Sequence, residues 1–396
     1  MKQETKRRIE ISNLHEFADS LILIDNRIER CKKHQASTIV LIAISAVICG
    51  ADTWNSIEDF GKSKESFFAA KLSNFNGIPS HDTFNRFFSA LDPLKFEESY
   101  RQWVQSILKC YSGHIAIDGK TIRGAYESEE DKRRRKQGVL PDSNTGKYKL
   151  HVSAFATELG ISLGQLCTQE KENEIVVIPE LLDMLCIKDC IITIDALGCQ
   201  RTIAEKVIKG EGDYIFIVKD NQPKLKETVL SATESIVSKG TTVRFDKYET
   251  HEEGHGRNES RICYCCNDPG FLGADIRKKW KNIRSFGYIE NTRNTNKGTT
   301  VEKRCFISSL EPDAQKILKN SREHWEIENN LHWQLDVNFH EDNTRRRNIS
   351  ALNFSVLAKI ALATLRNNKR EIPINRKRLI AGWDNEFLWE LILHDL

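Results

Sequence analysis

The most apolar run of this 396-residue chain lacks the length to cross a bilayer. The most apolar segment, Thr38 to Ala51, falls short of the roughly 20 residues a span requires and reads as a buried helix. No signal-like run follows the charged start Met1-Lys2-Gln3-Glu4-Thr5-Lys6-Arg7-Arg8. The 11 cysteines are odd in number and scattered, so free thiols in a reducing cytoplasm are the expectation. The cluster Cys263-Tyr264-Cys265-Cys266, with His251 and His255 near it, lacks the paired Cys-x-x-Cys knuckles of a structural zinc site. Neither sign of charge dominates: 59 Lys and Arg stand against 56 Asp and Glu, for a net charge of +3. Nucleic-acid binding is therefore permitted but not demanded. With 39% hydrophobic and 29% charged residues, the composition is that of a soluble folded protein, long enough for two or three domains.

The first 110 residues read as helices. Residues 1 to about 30 form an exposed amphipathic helix (Leu14, Phe17, Leu21, Leu23, Ile28), and Ile39 through Cys49 a core helix. Pro79-Ser80-His81-Asp82-Thr83 announces another, with Ser80 as N-cap and Asp82 in the first turn. Such a module could recognise DNA or serve packing and assembly. From about 113 the pattern changes. Ile115-Ala116-Ile117 reads as a strand, and two further strands flank the turn Glu158-Leu159-Gly160. A helix opened by Pro179, a strand from Cys190 to Ile194, a helix from Ile203 and a strand from Tyr214 to Val218 follow. Three strands, then helix, strand, helix, strand is the order of a ribonuclease-H-like α/β (α+β) fold, here expected over 111–370. A β-rich insertion is expected over about 226–305, and a basic, helical tail over 371–396.

Three acids stand out. Ile327, Leu331 and Leu335 recur at a spacing of four, the buried seam of an amphipathic helix. Glu328 sits one position round from that seam, and His332 one turn further on. A carboxylate at the margin of a buried face is costly unless paired, hydrogen-bonded or holding a metal. Asp118 and Asp195 each close a short apolar strand. Alone, a strand-end aspartate is more often a turn former. Together the three make a candidate metal-carboxylate site. Trp325 and Trp333 are expected as core anchors.

The blocks His324-Trp325, Ile327-Glu328-Asn329, Leu331-His332-Trp333, Leu335-Asp336-Val337 and Glu341-Asp342 resemble the C-terminal signature of bacterial insertion-sequence DDE transposases. The closest group is the H-repeat-associated proteins linked to Rhs elements. Asp118-Gly119-Lys120, Asp195-Ala196-Leu197-Gly198-Cys199-Gln200, Lys219 with Asn221-Gln222-Pro223, and His255-Gly256-Arg257 with Glu259 and Arg261 resemble further blocks in the same order. Pro79-Ser80-His81-Asp82-Thr83-Phe84 resembles one in the family's helical N-terminal region. The resemblance implies that Asp118, Asp195 and Glu328 are catalytic and hold Mg²⁺ or Mn²⁺, two ions in all. It implies cleavage at element ends, strand transfer into target DNA and a homodimer in the synaptic complex. Location would be the cytoplasm, with the nucleoid and not a membrane.

Candidates for DNA contact are Lys120, Arg123, Lys219, Arg257, Arg261, His324, His332 and Arg345. The wider clan has tyrosine, arginine and lysine where this chain has Ser321, His324 and Leu335, so part of the phosphate grip must come from elsewhere. Glu326 competes as third ligand, but on a helix it projects about 160° from Glu328. Other readings are a silent DNA-binding relic and a metal-dependent nuclease without strand transfer.

Overall fold

A computed structural model describes residues 14–25, 27, 32–108, 111–122, 133, 150–168, 174–239, 245–254, 257–296, 298–343 and 348–393. The chain divides into two compact units. One comprises Met1–Cys110, Gly119–Asn173 and Glu328–Leu396; the other comprises Tyr111–Asp118 and Glu174–Ile327.

The helices of the first unit are α1 (Leu14–Ser20), α2 (Ala36–Ile48), α3 (Trp54–Ser63), α4 (Glu65–Lys71), α5 (His81–Ala90) and α6 (Pro93–Leu108). All 13 residues of α2 are buried. Each of its large aliphatic side chains contributes about 1.5–3 kcal/mol when removed from water. The expected exposed N-terminal helix is instead packed, with Leu14, Phe17 and Ala18 of α1 buried. Its apolar stripe finds a partner in α2, and residues 1–13 lie outside the described part. Ser80 caps α5 as expected, its hydroxyl accepting from the Thr83 backbone N–H. Strand β1 (His114–Thr121), which begins in the second unit and ends in the first, comes next, followed by β2 (Leu150–Ala156) and β3 (Ile161–Thr168) of the first unit. The last two form the expected antiparallel hairpin.

The second unit holds α7 (Glu174–Asp183), β4 (Ile191–Ile194), α8 (Arg201–Lys209), β5 (Asp213–Val218) and α9 (Pro223–Lys239). Pro179 lies inside α7 rather than opening it. The buried apolar positions Ile178, Leu181 and Leu182 carry the helix across the missing proline N–H. Beyond α9 come β6 (Phe245–Gly254), β7 (Arg257–Cys266), α10 (Ala274–Lys279), β8 (Ser285–Thr295), β9 (Gly298–Ser308) and α11 (Ala314–Glu323). The nine strands follow the order β3-β2-β1-β4-β5-β9-β8-β7-β6. β4 pairs in parallel with β1 and β5, whereas β9 runs antiparallel to β5, so the strands of the insertion prolong the sheet. This is the ribonuclease-H-like order, extended. Cys263 and Cys265 join Phe306, Ile317 and Leu318 in the core under α11. There they act as small apolar side chains, and burial pushes the Cys265 thiol up to about 11.

The first unit closes with a π-helical turn, Ile327–His332, that leads into α12 (Trp333–Phe339), then α13 (Asn348–Asn367), α14 (Ile374–Trp383) and α15 (Asn385–Leu393). Ile349–Asn367 is long and apolar enough to cross a membrane, but 83% of its most apolar window is buried in the fold. It packs on α2, α5 and α6. Asn353 on it donates to the carbonyls of Phe88 (2.7 Å) and Leu91 (3.1 Å), satisfying the C-terminal end of α5.

Candidate active site

In the second unit β1 and β4 run side by side, with His114 opposite Ile191 and Ile117 opposite Ile194. The next residue in each case is an aspartate, Asp118 within β1 and Asp195 immediately after β4. Both are half-buried where the apolar run ends. Parallel strands in register thus bring two acids far apart in sequence to one edge of the sheet. Lys219, exposed, follows β5 at the same edge.

The Asp195 turn is held from several directions. Its Oδ1 accepts from the backbone N–H groups of Leu197 (2.9 Å) and Gly198 (3.3 Å). Asn221 donates to the Ala196 carbonyl at 2.6 Å and Gln222 to that of Cys199 at 3.2 Å. The segment after β5 therefore fixes the aspartate's turn, a role that the sequence block Asn221-Gln222-Pro223 did not reveal. Behind Asp195, the Thr193 hydroxyl bonds His114 Nε2 at 2.7 Å and His324 Nδ1 at 3.0 Å. Burial, opposed by Asp195, pushes His324 down to about 4, so the ring is neutral near pH 7.

Glu328 lies on the π-helical turn and is exposed. Ile327, Leu331 and Leu335 are buried, which makes the expected seam real. Trp325 and Trp333 are not core anchors: they are 45% and 55% exposed. The seam's aliphatic residues fill the buried face, leaving the indoles outside it, with the Arg304 guanidinium 5.9 Å from the Trp325 ring. Glu326 belongs to the second unit, where it lines a cavity of about 420 Å³ with Tyr248, Gln315, Lys319 and Arg322.

The cations distribute unevenly. Arg123 and Arg345 lie outside the described residues, as does most of the charge run 127–136. Arg257 opens β7. Arg261 is mostly buried in ion pairs with Glu252 (2.9 Å) and Glu259. Lys120 is turned inward, its ammonium bound by Asp336 and, at 2.8 Å, by Glu341. Burial pushes His332 down to about 3, with Lys120 adding to the effect. Among the described candidates, Lys219 is an exposed cation near the aspartates.

Carboxylate oxygens suit hard cations such as Mg²⁺, which binds one or two carboxylates and completes its shell with water and substrate phosphate. The pair Asp118, within β1, and Asp195, just past β4, fits that demand. Among the described residues no group of three His, Cys, Asp or Glu stands ready to hold a metal.

A sheet in which parallel β4 lies between β1 and β5 is of ribonuclease-H-like order, and sequence comparison makes the class specific. The family described as "Transposase DDE domain" matches residues 112–365, and the region described as "DDE_Tnp_1-associated" matches residues 21–104. The chain belongs to this family of DNA transposases. The "H repeat-associated putative transposase YhhI" of Escherichia coli K12 is 38% identical over 367 residues, 90% of this chain and 92% of the relative. The YbfL protein of the same strain matches with the same identity and coverage. A piggyBac transposase synaptic complex with hairpin DNA aligns at 10% identity over 99% of this chain and 77% of its own. Its TM-score of 0.40 is too low to bear on the reading. Membership of a DDE family implies divalent-metal dependence and DNA as partner.

Proposed function

We propose that this chain cleaves DNA at the ends of its element and joins the freed 3′-hydroxyl to target DNA, with Asp118, Asp195 and Glu328 as the acidic triad. The observation that carries the reading is the register of β1 on β4: Ile117 pairs with Ile194, and the next residue on each side is an aspartate, Asp118 within β1 and Asp195 just past β4. Asp118, Asp195 and Glu328 would hold Mg²⁺ or Mn²⁺, two ions per site. When bound, such ions lower the pKa of water and neutralise charge on the phosphate and leaving oxygen. The protein's own part is to orient. The Leu197 and Gly198 amides hold one Asp195 oxygen in place, leaving the side chain a fixed direction. Lys219 supplies positive charge to a phosphate at the sheet edge, and Arg257 is a second candidate from β7. No side chain acts as a covalent nucleophile. Two ends joined in synapsis call for a homodimer on DNA, in the cytoplasm at the nucleoid.

The test uses labelled DNA carrying the element's ends, with Mn²⁺ or Mg²⁺ against chelator. Asp118→Asn, Asp195→Asn and Glu328→Gln are each expected to abolish nicking, and Glu326→Gln to retain it. Strand-transfer products from a pre-cleaved end separate a transposase from a simple nuclease. Wild type that binds DNA and never nicks would sink the proposal. Cutting by Glu328→Gln but not by Glu326→Gln would move the third ligand to Glu326.

A further inference from the structure

Lys120 stands two residues beyond Asp118 on β1, yet its side chain is only 10% exposed. Its ammonium bridges Asp336, on the helix that continues from Glu328, and Glu341, beyond the point where that helix stops. The stop is made by His340 in the left-handed region, φ 53°, which turns the chain and brings Glu341 back under α12. Glu341 in turn accepts from the Ser355 hydroxyl at 2.8 Å, and Lys359 donates to the same hydroxyl at 3.1 Å, both on the buried helix α13. One charged ladder therefore runs from the end of β1 through the glutamate-bearing helix to the core.

Ion pairs buried in this way are weak devices for stability, since well-packed apolar groups often do as well or better. They can specify one geometry, here by tying Lys120 to both Asp336 and Glu341. Two of the three Lys120 donors are taken by Asp336 and Glu341 and the side chain is mostly buried, unlike that of an exposed phosphate-binding lysine. Its position instead couples the end of the β1 strand to the segment that carries the third acid.

We propose that Lys120 is a positioning residue for Glu328, holding the glutamate-bearing helix against the end of β1 through Asp336 and Glu341. The inference rests on the triad reading above, and it changes how Lys120 matters: through metal affinity, not through DNA affinity. Partners that orient metal ligands typically cost about 10–100-fold in metal affinity when removed.

The experiment titrates Mn²⁺ into the full chain and reads the free-ion paramagnetic resonance signal, alongside DNA binding by gel shift and thermal unfolding. The variants are Lys120→Met, Lys120→Arg and Asp336→Asn, with Asp118→Asn as the control for the triad itself. Lys120→Met and Asp336→Asn should each weaken Mn²⁺ binding by about ten-fold or more while DNA affinity stays within about two-fold. Their double variant should lose little beyond either single one, because both cut the same link. Lys120→Arg keeps the charge and the fold but not the geometry, and should show an intermediate loss. Unchanged Mn²⁺ affinity in a folded Lys120→Arg and Lys120→Met would overturn the proposal. So would a loss of DNA affinity with metal binding intact, which would make Lys120 a phosphate contact. If Asp118→Asn binds Mn²⁺ like wild type, the triad reading fails, and the positioning role falls with it.

Discussion

Asp195 accepts from the amides of its own turn, and the residue that makes this turn possible is Gly198. A Cβ at Gly198 would lie 2.1 Å from Ile194 Cγ2, on the strand that delivers the aspartate. Alanine there must push Ile194 aside or unwind the turn whose amides hold the Asp195 carboxylate. Gly198→Ala should destabilise by roughly 1–3 kcal/mol, the usual cost of overpacking, with a larger proportional loss of nicking than of DNA binding. Calorimetric melting and single-turnover cleavage measure the two. At this scale the sequence was partly legible. Asp118 and Asp195 announce themselves by ending apolar runs. Lys120 does not, because its partner Asp336 is 216 residues away and a lysine after an aspartate looks like any surface cation. The tryptophans misled for a related reason: size and apolarity argue for burial, but only the shape of the buried seam decides whether there is room.

Among the elements, the glutamate helix was legible as a helix but not as the kind of helix it is. A spacing of four drifts about 40° per step on an α-helix, and the wider π-helical turn Ile327–His332 offsets that drift, so Ile327, Leu331 and Leu335 all stay buried. Such turns occur often at functional sites. Nothing in the spacing separates the two geometries. The α5–α13 packing was likewise invisible, since Asn353 reads as an ordinary polar break in an apolar helix. Its amide is the partner of two carbonyls at the end of α5. Asn353→Leu should therefore cost about 1–3 kcal/mol, more than its added apolar surface returns. Urea denaturation should show a lower midpoint with an unchanged slope.

For the whole molecule, histidines held neutral by burial shape the response to acid. Burial pushes His151 and His324 down to about 4, and His114 and His332 to about 3, from an ordinary 6.5. The unfolded chain takes up protons first as pH falls, so their contribution is complete above about 6.5 and is lost toward 4. Glu341 acts in the same direction at lower pH. Burial would raise its carboxyl, but Lys120 and Lys359 outweigh burial and hold it well below the usual range. Melting temperature should stay level above pH 7 and fall steeply from 6.5 to 4, and His151→Gln should flatten part of that slope. A melting curve equally stable at pH 7 and pH 4.5 would contradict this. The strand order near the aspartates was legible, because apolar runs and their turns fix local pairing. How the strands of the insertion join the sheet was not, because strand partners distant in sequence leave no mark on either run alone.

The antiparallel seam between β5 and β9 has a bearing on how such genes decay. A copy that loses the stretch from β6 to β9 does not merely lose an appendage: it bares the backbone of β5, an apolar strand in the middle of the sheet. An open edge of that kind recruits other chains. Internal deletions here should therefore yield insoluble, self-associating products rather than quiet DNA-binding remnants, and selection should remove them faster than copies disabled at a single acid.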